Sequence, residues 1–199
     1  MEFEIPNHIL TNIKQEVAND VAPILEEDPD TAEYLADIMQ EYRILEFKFL
    51  SLIDSNFYPE KVLYAASGFD IIPKLAFGNQ KVVYTSLESY RGGDQDYFKQ
   101  TKGGMNVVAD NINPPFKNST FETLLIFGLS DGDKRQQIEK LTRVVAKNGI
   151  LILASNVIDP TVSDETLQFL EKDFQRILVP EEFHNKGISE TTFYLFKKK

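Results

Sequence analysis

Two hydrophobic periodicities divide the chain near residue 60. Over residues 7–25 the apolar positions Ile9, Leu10, Ile13, Val17, Val21, Ile24 and Leu25 recur at steps of three and four, the spacing of a helix with one buried face. Pro23 should kink or end that helix, because it lacks an N–H and crowds the preceding turn. Asp28-Pro29-Asp30-Thr31 predicts a second helix start, with Asp or Thr as N-cap. Leu35, Ile38, Met39, Tyr42, Leu45, Phe49 and Ile53 carry it for about six turns, to a close at Asp54-Ser55-Asn56. Residues 1–60 therefore read as an N-terminal helical cap and residues 61–199 as the main domain. The cap either packs on one edge of that domain or closes over its ligand, and packing is the commoner role of an amphipathic helix.

Beyond residue 60, short apolar or β-branched runs alternate with helical ones. Residues 61–66, 81–87, 106–109, 121–127 and 150–154 read as five strands. Asp131-Gly132-Asp133 opens a helix whose apolar face is Ile138, Leu141, Val144 and Val145. Lys147-Asn148-Gly149 should end it, with a basic residue in the last turn and Gly free to turn left-handed. Apolar strands between helices are the pattern of a parallel sheet covered on both faces. Residues 174–179 and 191–196 read as two antiparallel strands added at one edge.

The stretch of most chemical interest is residues 61–78, KVLYAASGFDIIPKLAFG. A buried strand runs into the small-residue turn Ala65-Ala66-Ser67-Gly68, and an apolar segment, 71–77, then begins a helix. Strand, tight turn and helix start are how α/β proteins cradle a nucleotide-like ligand. Asp70 either adds negative charge in the path of such a ligand or caps the helix that follows.

Composition narrows the choices. The 199 residues are enough for one sizeable domain, and 42% hydrophobic with 12% aromatic residues fits an ordinary core. A formal net charge of -10 would repel a phosphate backbone, so nucleic acid is disfavoured as a partner. With no cysteine, disulfides, thiolate metal sites and Cys nucleophiles are excluded. The opening MEFEIPNHIL carries two glutamates where a signal peptide would be basic, and no apolar run approaches the roughly 20 residues of a membrane span. A soluble cytoplasmic protein is the expectation. His8 and His184 are too few for a histidine-based metal cluster, and His184 falls in the loop between the last two strands. No phosphate-binding Gly-x4-Gly-Lys-[Ser/Thr] occurs. Glu88 lies about 20 residues after Gly68, as in a dinucleotide fold, but G-x-G-x-x-G is absent.

From roughly residue 60 to the end, the order of elements resembles the class I S-adenosylmethionine-dependent methyltransferases. That resemblance implies a Rossmann-like, seven-stranded, mostly parallel α/β sheet with an antiparallel last strand, preceded here by the N-terminal helices. Against the family's V-L-D-x-G-x-G-x-G this chain has V-L-Y-A-A-S-G-F-D. Gly68 falls on the middle glycine, Ala66 and Asp70 replace the flanking ones, and Tyr64 replaces the acid. Residues 107–127, VVADNINPPFKNSTFETLLIF, are similar to the run in which an acid ends the third strand and "sFD" opens the fourth. Asp110 then falls where the family holds the adenine amino group, with Asn111 beside it. KLTRVVAKNGILILAS looks like the family's helix, Lys-x-Gly turn and fifth strand. The ribose-binding acid should close the second strand. That position is Ser86, and Glu88, two residues on and on the same strand face, stands as its substitute.

The resemblance thus implies a site for S-adenosylmethionine or S-adenosylhomocysteine built from Tyr64, Ala66, Gly68, Asp70, Ser86, Glu88, Asp110, Asn111 and Phe127. It implies methyl transfer to a small molecule or a protein. The alternative is a methyltransferase-like fold that has lost catalysis and serves as a cofactor sensor or scaffold. Asn113-Pro114-Pro115-Phe116 spells the tetrapeptide with which amino-methylating relatives hold the target amine, but theirs follows the fourth strand. Here it precedes FETLLIF, so it reads as loop punctuation. No general base stands out: Tyr64, Glu88, Asp131 and His184 are all candidates.

Overall fold

The computed structural model describes residues 4–65, 70–78, 80–86, 105–109, 111–129, 133–156, 162–184 and 191–199. Its strands are β1 (Val62–Ala65), β2 (Val82–Ser86), β3 (Met105–Val108), β4 (Phe121–Ile126), β5 (Val145–Asn156), β6 (Phe174–Ile177) and β7 (Thr191–Lys198). They form one seven-stranded sheet in the order β3-β2-β1-β4-β5-β7-β6. The pairs from β3 through β5 are parallel, and β7 runs antiparallel to both β5 and β6. The mostly parallel sheet with an antiparallel last strand is what the chain builds.

All four residues of β1 are buried, as are four of the last five in β4 before Phe127. Both sheet faces are covered, which is why Val62–Ala65 and the Leu124, Leu125, Ile126 run of β4 are continuously buried and apolar and do not alternate. One face carries α1 (Asn7–Leu25), α2 (Pro29–Phe57) and the short α3 (Ile72–Phe77). Ile13, Val17, Phe49, Leu50 and Ile53 there share a core with Val62, Tyr64, Leu125, Ile152 and Phe193 of the strands. The other face carries α4 (Lys134–Thr142) and α5 (Asp164–Asp173), whose Ile138, Leu141 and Leu170 pack on Leu63, Leu124, Leu151 and Phe196. Each such large side chain contributes about 1.5–3 kcal/mol by leaving water. Because α3 has only six residues, the burial of its sheet face falls largely to α2, whose Phe49 stacks on Phe193 at 4.6 Å.

Local chemistry sets the helix ends. The Asp28 side chain accepts from the Thr31 amide at 3.1 Å and the Thr31 hydroxyl at 2.6 Å, and Pro29 occupies the first turn, where a missing N–H costs nothing. Pro23 is tolerated in the last turn of α1. Two expectations need correction. The fourth helix stops at Thr142, not at Gly149, because Val144 and Val145 are both buried, the latter as the first residue of β5. The Lys147-Asn148-Gly149 turn lies inside β5, where the pairing with β4 shifts register between Phe121 and Thr123. Asn148 there takes the left-handed conformation (φ 63°), which Asn tolerates. A Cβ on Gly149 would lie 2.8 Å from the Ala146 carbonyl oxygen and 2.9 Å from that of Glu122. Helix α5, capped by Ser163, has no counterpart among the elements predicted from sequence. Among the described residues no helix is long and apolar enough to cross a membrane.

Candidate functional site

Strand order reverses between β1 and β4: from β1 the chain moves outward through β2 and β3, then returns to the other side of β1. Such a reversal is where α/β sheets bind ligands, in a crevice at the carboxyl ends of the strands. At that point Ala65 and Ile126 pair as the last residues of their strands. The Tyr64 ring, one residue back on β1, meets Tyr84 of β2 at 5.8 Å and Phe127, just past β4, at 5.5 Å. Phe127 in turn meets Phe193 of β7 at 5.8 Å. A row of aromatic rings thus runs beneath the strand ends on the α1–α2 side.

The exit of the β1 turn is held by charged groups from three elements. Asp70 is 5% exposed and fully engaged. Its Oδ2 accepts from the Tyr64 hydroxyl at 2.7 Å, and its Oδ1 accepts from the Ile72 amide at 2.8 Å and meets Arg43 Nη1 at 3.0 Å. The N-cap position of α3 is Ile71, so Asp70 is not the capping residue; it stands one residue before the cap, accepts from the first helical amide, and has its charge matched by Arg43 of α2. Arg43 Nη1 also lies 3.3 Å from Glu46 Oε2. From α1, Glu16 Oε1 accepts from the Ile71 amide at 2.9 Å. Both glutamates are buried, and among the described residues Glu16 Oε2 and Glu46 Oε1 have no hydrogen-bond partner.

One guanidinium thus faces three carboxyl groups in a dry setting. Burial opposes the charge on Arg43, but Asp70, Glu46 and Glu16 more than offset it and hold the guanidinium protonated. Burial first, then the neighbouring Asp70, pushes the Glu46 carboxyl well above the usual range, favouring its neutral form. The same two causes push Glu16 up to about 7, with Arg43 and the Ile71 amide pulling back. Burial and the Asp70 charge also keep the Tyr64 phenol protonated, as its donated hydrogen bond requires.

Sequence reasoning missed Glu16, Arg43 and Glu46. A signal for the two glutamates existed. Glu16 sits three residues past Ile13, and Glu46 lies between Tyr42 and Phe49–Leu50, both on apolar stripes where a charge is out of place.

The remaining predicted positions divide. Ala66, Gly68, Glu88 and Asp110 lie outside the described residues, as does Asp131. Ser86 ends β2 with its backbone paired to Val108. Asn111 is buried and its side-chain amide donates to Gln137 Oε1 of α4 at 3.2 Å. The NPPF segment sits between β3 and β4, as its place in the sequence required. Arg143 donates to the Pro114 carbonyl at 2.5 Å, the Phe116 carbonyl at 2.6 Å and Asn118 Oδ1 at 2.9 Å. The first proline carbonyl, which would have to receive an amine, is thus already engaged by an internal donor. A pocket of about 290 Å³ opens where β6 ends, lined by Arg176, Leu178, Val179, His184, Phe193 and Tyr194. Arg176 lies over the Tyr194 ring at 5.2 Å. Phe193 and Tyr194 pair with the last part of β5, so this pocket too is at the carboxyl end of the parallel strands.

No protein-family model matches the sequence, and no curated protein matches it. Solved structures do resemble it. A TehB-like S-adenosylmethionine-dependent methyltransferase from Corynebacterium glutamicum aligns over 86% of this chain and 100% of its own, at 18% identity and a TM-score of 0.61. The N-methyltransferase NodS from Bradyrhizobium japonicum, in complex with S-adenosylhomocysteine, aligns over 95% and 97%, at 12% identity and a TM-score of 0.59. The [4+2]-cyclase SpnF aligns over 76% and 80%, at 12% identity and a TM-score of 0.56. The shared feature is the class I methyltransferase fold. That a cyclase is among these neighbours shows that the fold alone does not choose the reaction.

Proposed function

We propose that the chain is an S-adenosylmethionine-dependent methyltransferase whose cofactor lies in the crevice between β1 and β4. The observation that carries this reading is the state of Asp70. A free carboxylate at the third glycine position would oppose the carboxylate end of the cofactor's methionine. Asp70 is instead turned inward and matched by Arg43 and Tyr64, so the substituted turn remains compatible with the group. Asp110 would face the adenine, Ser86 and Glu88 the ribose, and Ala66 and Gly68 would admit the methionine portion, while Asn111, tied to Gln137, would brace the strand end behind Asp110. When bound, the sulfonium supplies an electrophilic methyl group. The chain's task is then to align an acceptor and exclude water. The Tyr64, Phe127 and Phe193 rings form a dry wall on one side of the strand ends, continuous with the pocket at β6 and β7. At about 290 Å³ that pocket suits a compact acceptor.

Calorimetric titration with S-adenosylmethionine and S-adenosylhomocysteine, repeated on Asp110→Ala, tests the reading. Micromolar binding that weakens about tenfold or more in the variant is expected, from loss of a charge-assisted hydrogen bond. Absence of heat at high micromolar ligand would overturn it. Binding without transfer to any offered acceptor would put the sensor or scaffold reading ahead.

A further inference from the structure

Glu16 of α1 has no role in the reading above, yet its carboxyl ends on the backbone just before α3. We propose that Glu16 is a positioning residue for that turn's exit, fastening helix α1 to Ile71, and that its hold is proton-dependent, weakening as the carboxyl ionises. The inference rests on the cofactor reading only for its consequence, an effect on cofactor affinity.

The geometry sets the argument. Glu16 Oε1 is the acceptor for the Ile71 amide at 2.9 Å, and this is a tie between residues 55 positions apart. It is the contact by which α1 reaches the residue following Asp70. The carboxyl group is enclosed: Glu16 is 8% exposed, and its Oε2 meets no donor among the described residues. The charged and titratable groups facing it are Asp20 on α1, Arg43 and Glu46 on α2, Asp70 after β1, and Tyr84 on β2. Arg43 is the one cation among them, and it is already committed to Asp70 at 3.0 Å and Glu46 at 3.3 Å. A second full negative charge on Glu16 would therefore lie beside Asp70, out of water and without its own counterion. A neutral Glu16 can still accept from Ile71 through its carbonyl oxygen at none of that cost. Burial and Asp70 raise the group from 4.5 to about 7, so it exchanges its proton near neutrality.

The docked state therefore prefers the protonated form, and the undocked state, with Glu16 in water, ionises in the ordinary carboxylate range. The hold is greatest at or below that range and is lost as pH rises toward 7. Glu16→Gln should lock it, because the amide oxygen keeps the acceptor and carries no charge.

Amide hydrogen exchange over residues 70–77, compared at matched pH between the native chain and Glu16→Gln, reads the hold with no cofactor present. At pH 7.5 the native chain should exchange faster than the variant, on the order of tenfold or more, and the two should converge toward pH 4. Equal exchange at both pH values, or faster exchange in the variant at pH 7.5, would overturn the proposal. Titration with S-adenosylhomocysteine then reads the consequence: native affinity should fall between pH 5.5 and 7.5 relative to the variant. Equal affinities at both pH values, with the exchange difference present, would overturn the positioning role. If S-adenosylhomocysteine binds neither protein while the exchange pattern holds, the cofactor reading fails and the proton-dependent hold stands. Arg43→Lys, which keeps the cation, checks that a loss of affinity is not general unfolding: it should leave the pH dependence in place.

Discussion

Two arginines brace the two connections that distinguish this chain, and they do so by different physics. Arg43 sits in a dry cluster with Asp70, Glu46 and Glu16, contributed by α1, α2 and the exit of β1. Arg143, at the end of α4, meets backbone carbonyls of Pro114 and Phe116 and the side chain of Asn118, in a partly open setting. The first arrangement joins distant segments through charge that has lost its water. The second clips a proline-rich loop through neutral acceptors that water could satisfy. Energy stored in the two should differ accordingly: a buried charge without its partner is costly, whereas a partly exposed carbonyl is re-solvated.

Removing Arg43 is the sharpest test. Arg43→Met leaves Asp70 as a buried carboxylate without its cation, keeping the Tyr64 hydroxyl and the Ile72 amide, and should cost about 3–5 kcal/mol. Urea unfolding at pH 7 measures it. Adding Asp70→Asn to Arg43→Met removes the orphaned charge and should recover most of the loss. If the double variant is no more stable than the single one, the cluster acts by packing and the contrast between the arginines collapses.

The same contrast explains what the sequence could and could not disclose. Apolar runs such as 61–66 and 150–154 predict buried strands because both faces of a parallel sheet are covered, and the structure places strands there. The helix carried on to Gly149 was an error of period. Ile138, Leu141 and Val144–Val145 keep helical spacing, but Val145 is already strand and the apparent cap is a turn inside β5. At the site, Tyr64 and Asp70 were legible as departures from a glycine-and-acid pattern. Their compensation is not, because Arg43 and Glu16 lie on α2 and α1, far back in the chain, and reach Asp70 and Ile71 only once those helices are packed. A charge on an apolar helix stripe says that a partner exists without saying where.

Glu16 tests the dry cluster from its other end. Its carboxyl is raised from 4.5 to about 7, so the folded protein holds this proton more tightly than the unfolded chain does. The stability that this provides is complete below the unfolded value, falls as pH rises toward 7, and levels off above it. Glu16→Gln carries no such penalty. Its advantage over the native chain should be near zero at pH 4.5 and should grow to at most roughly 3 kcal/mol by pH 7.5. Chemical denaturation of both proteins across that range measures the difference. An advantage that does not change with pH would mean that the carboxyl is solvated in the folded state.

Arg143 should show the smallest effect. Arg143→Ala deletes donors to three acceptors, of which the Pro114 and Phe116 carbonyls are part-buried and Asn118 is exposed. Water can reach much of this set, so the loss should be about 1–2 kcal/mol, near that of one or two ordinary hydrogen bonds. Arg143→Lys offers a single ammonium in place of a planar fork and should recover only part of it. Cofactor titration should be unchanged in both variants, since the clip lies on the approach to β4 and not at its carboxyl end. A loss matching that of Arg43→Met would show that the carbonyls are as dry as the carboxylates, and that the two braces are alike after all.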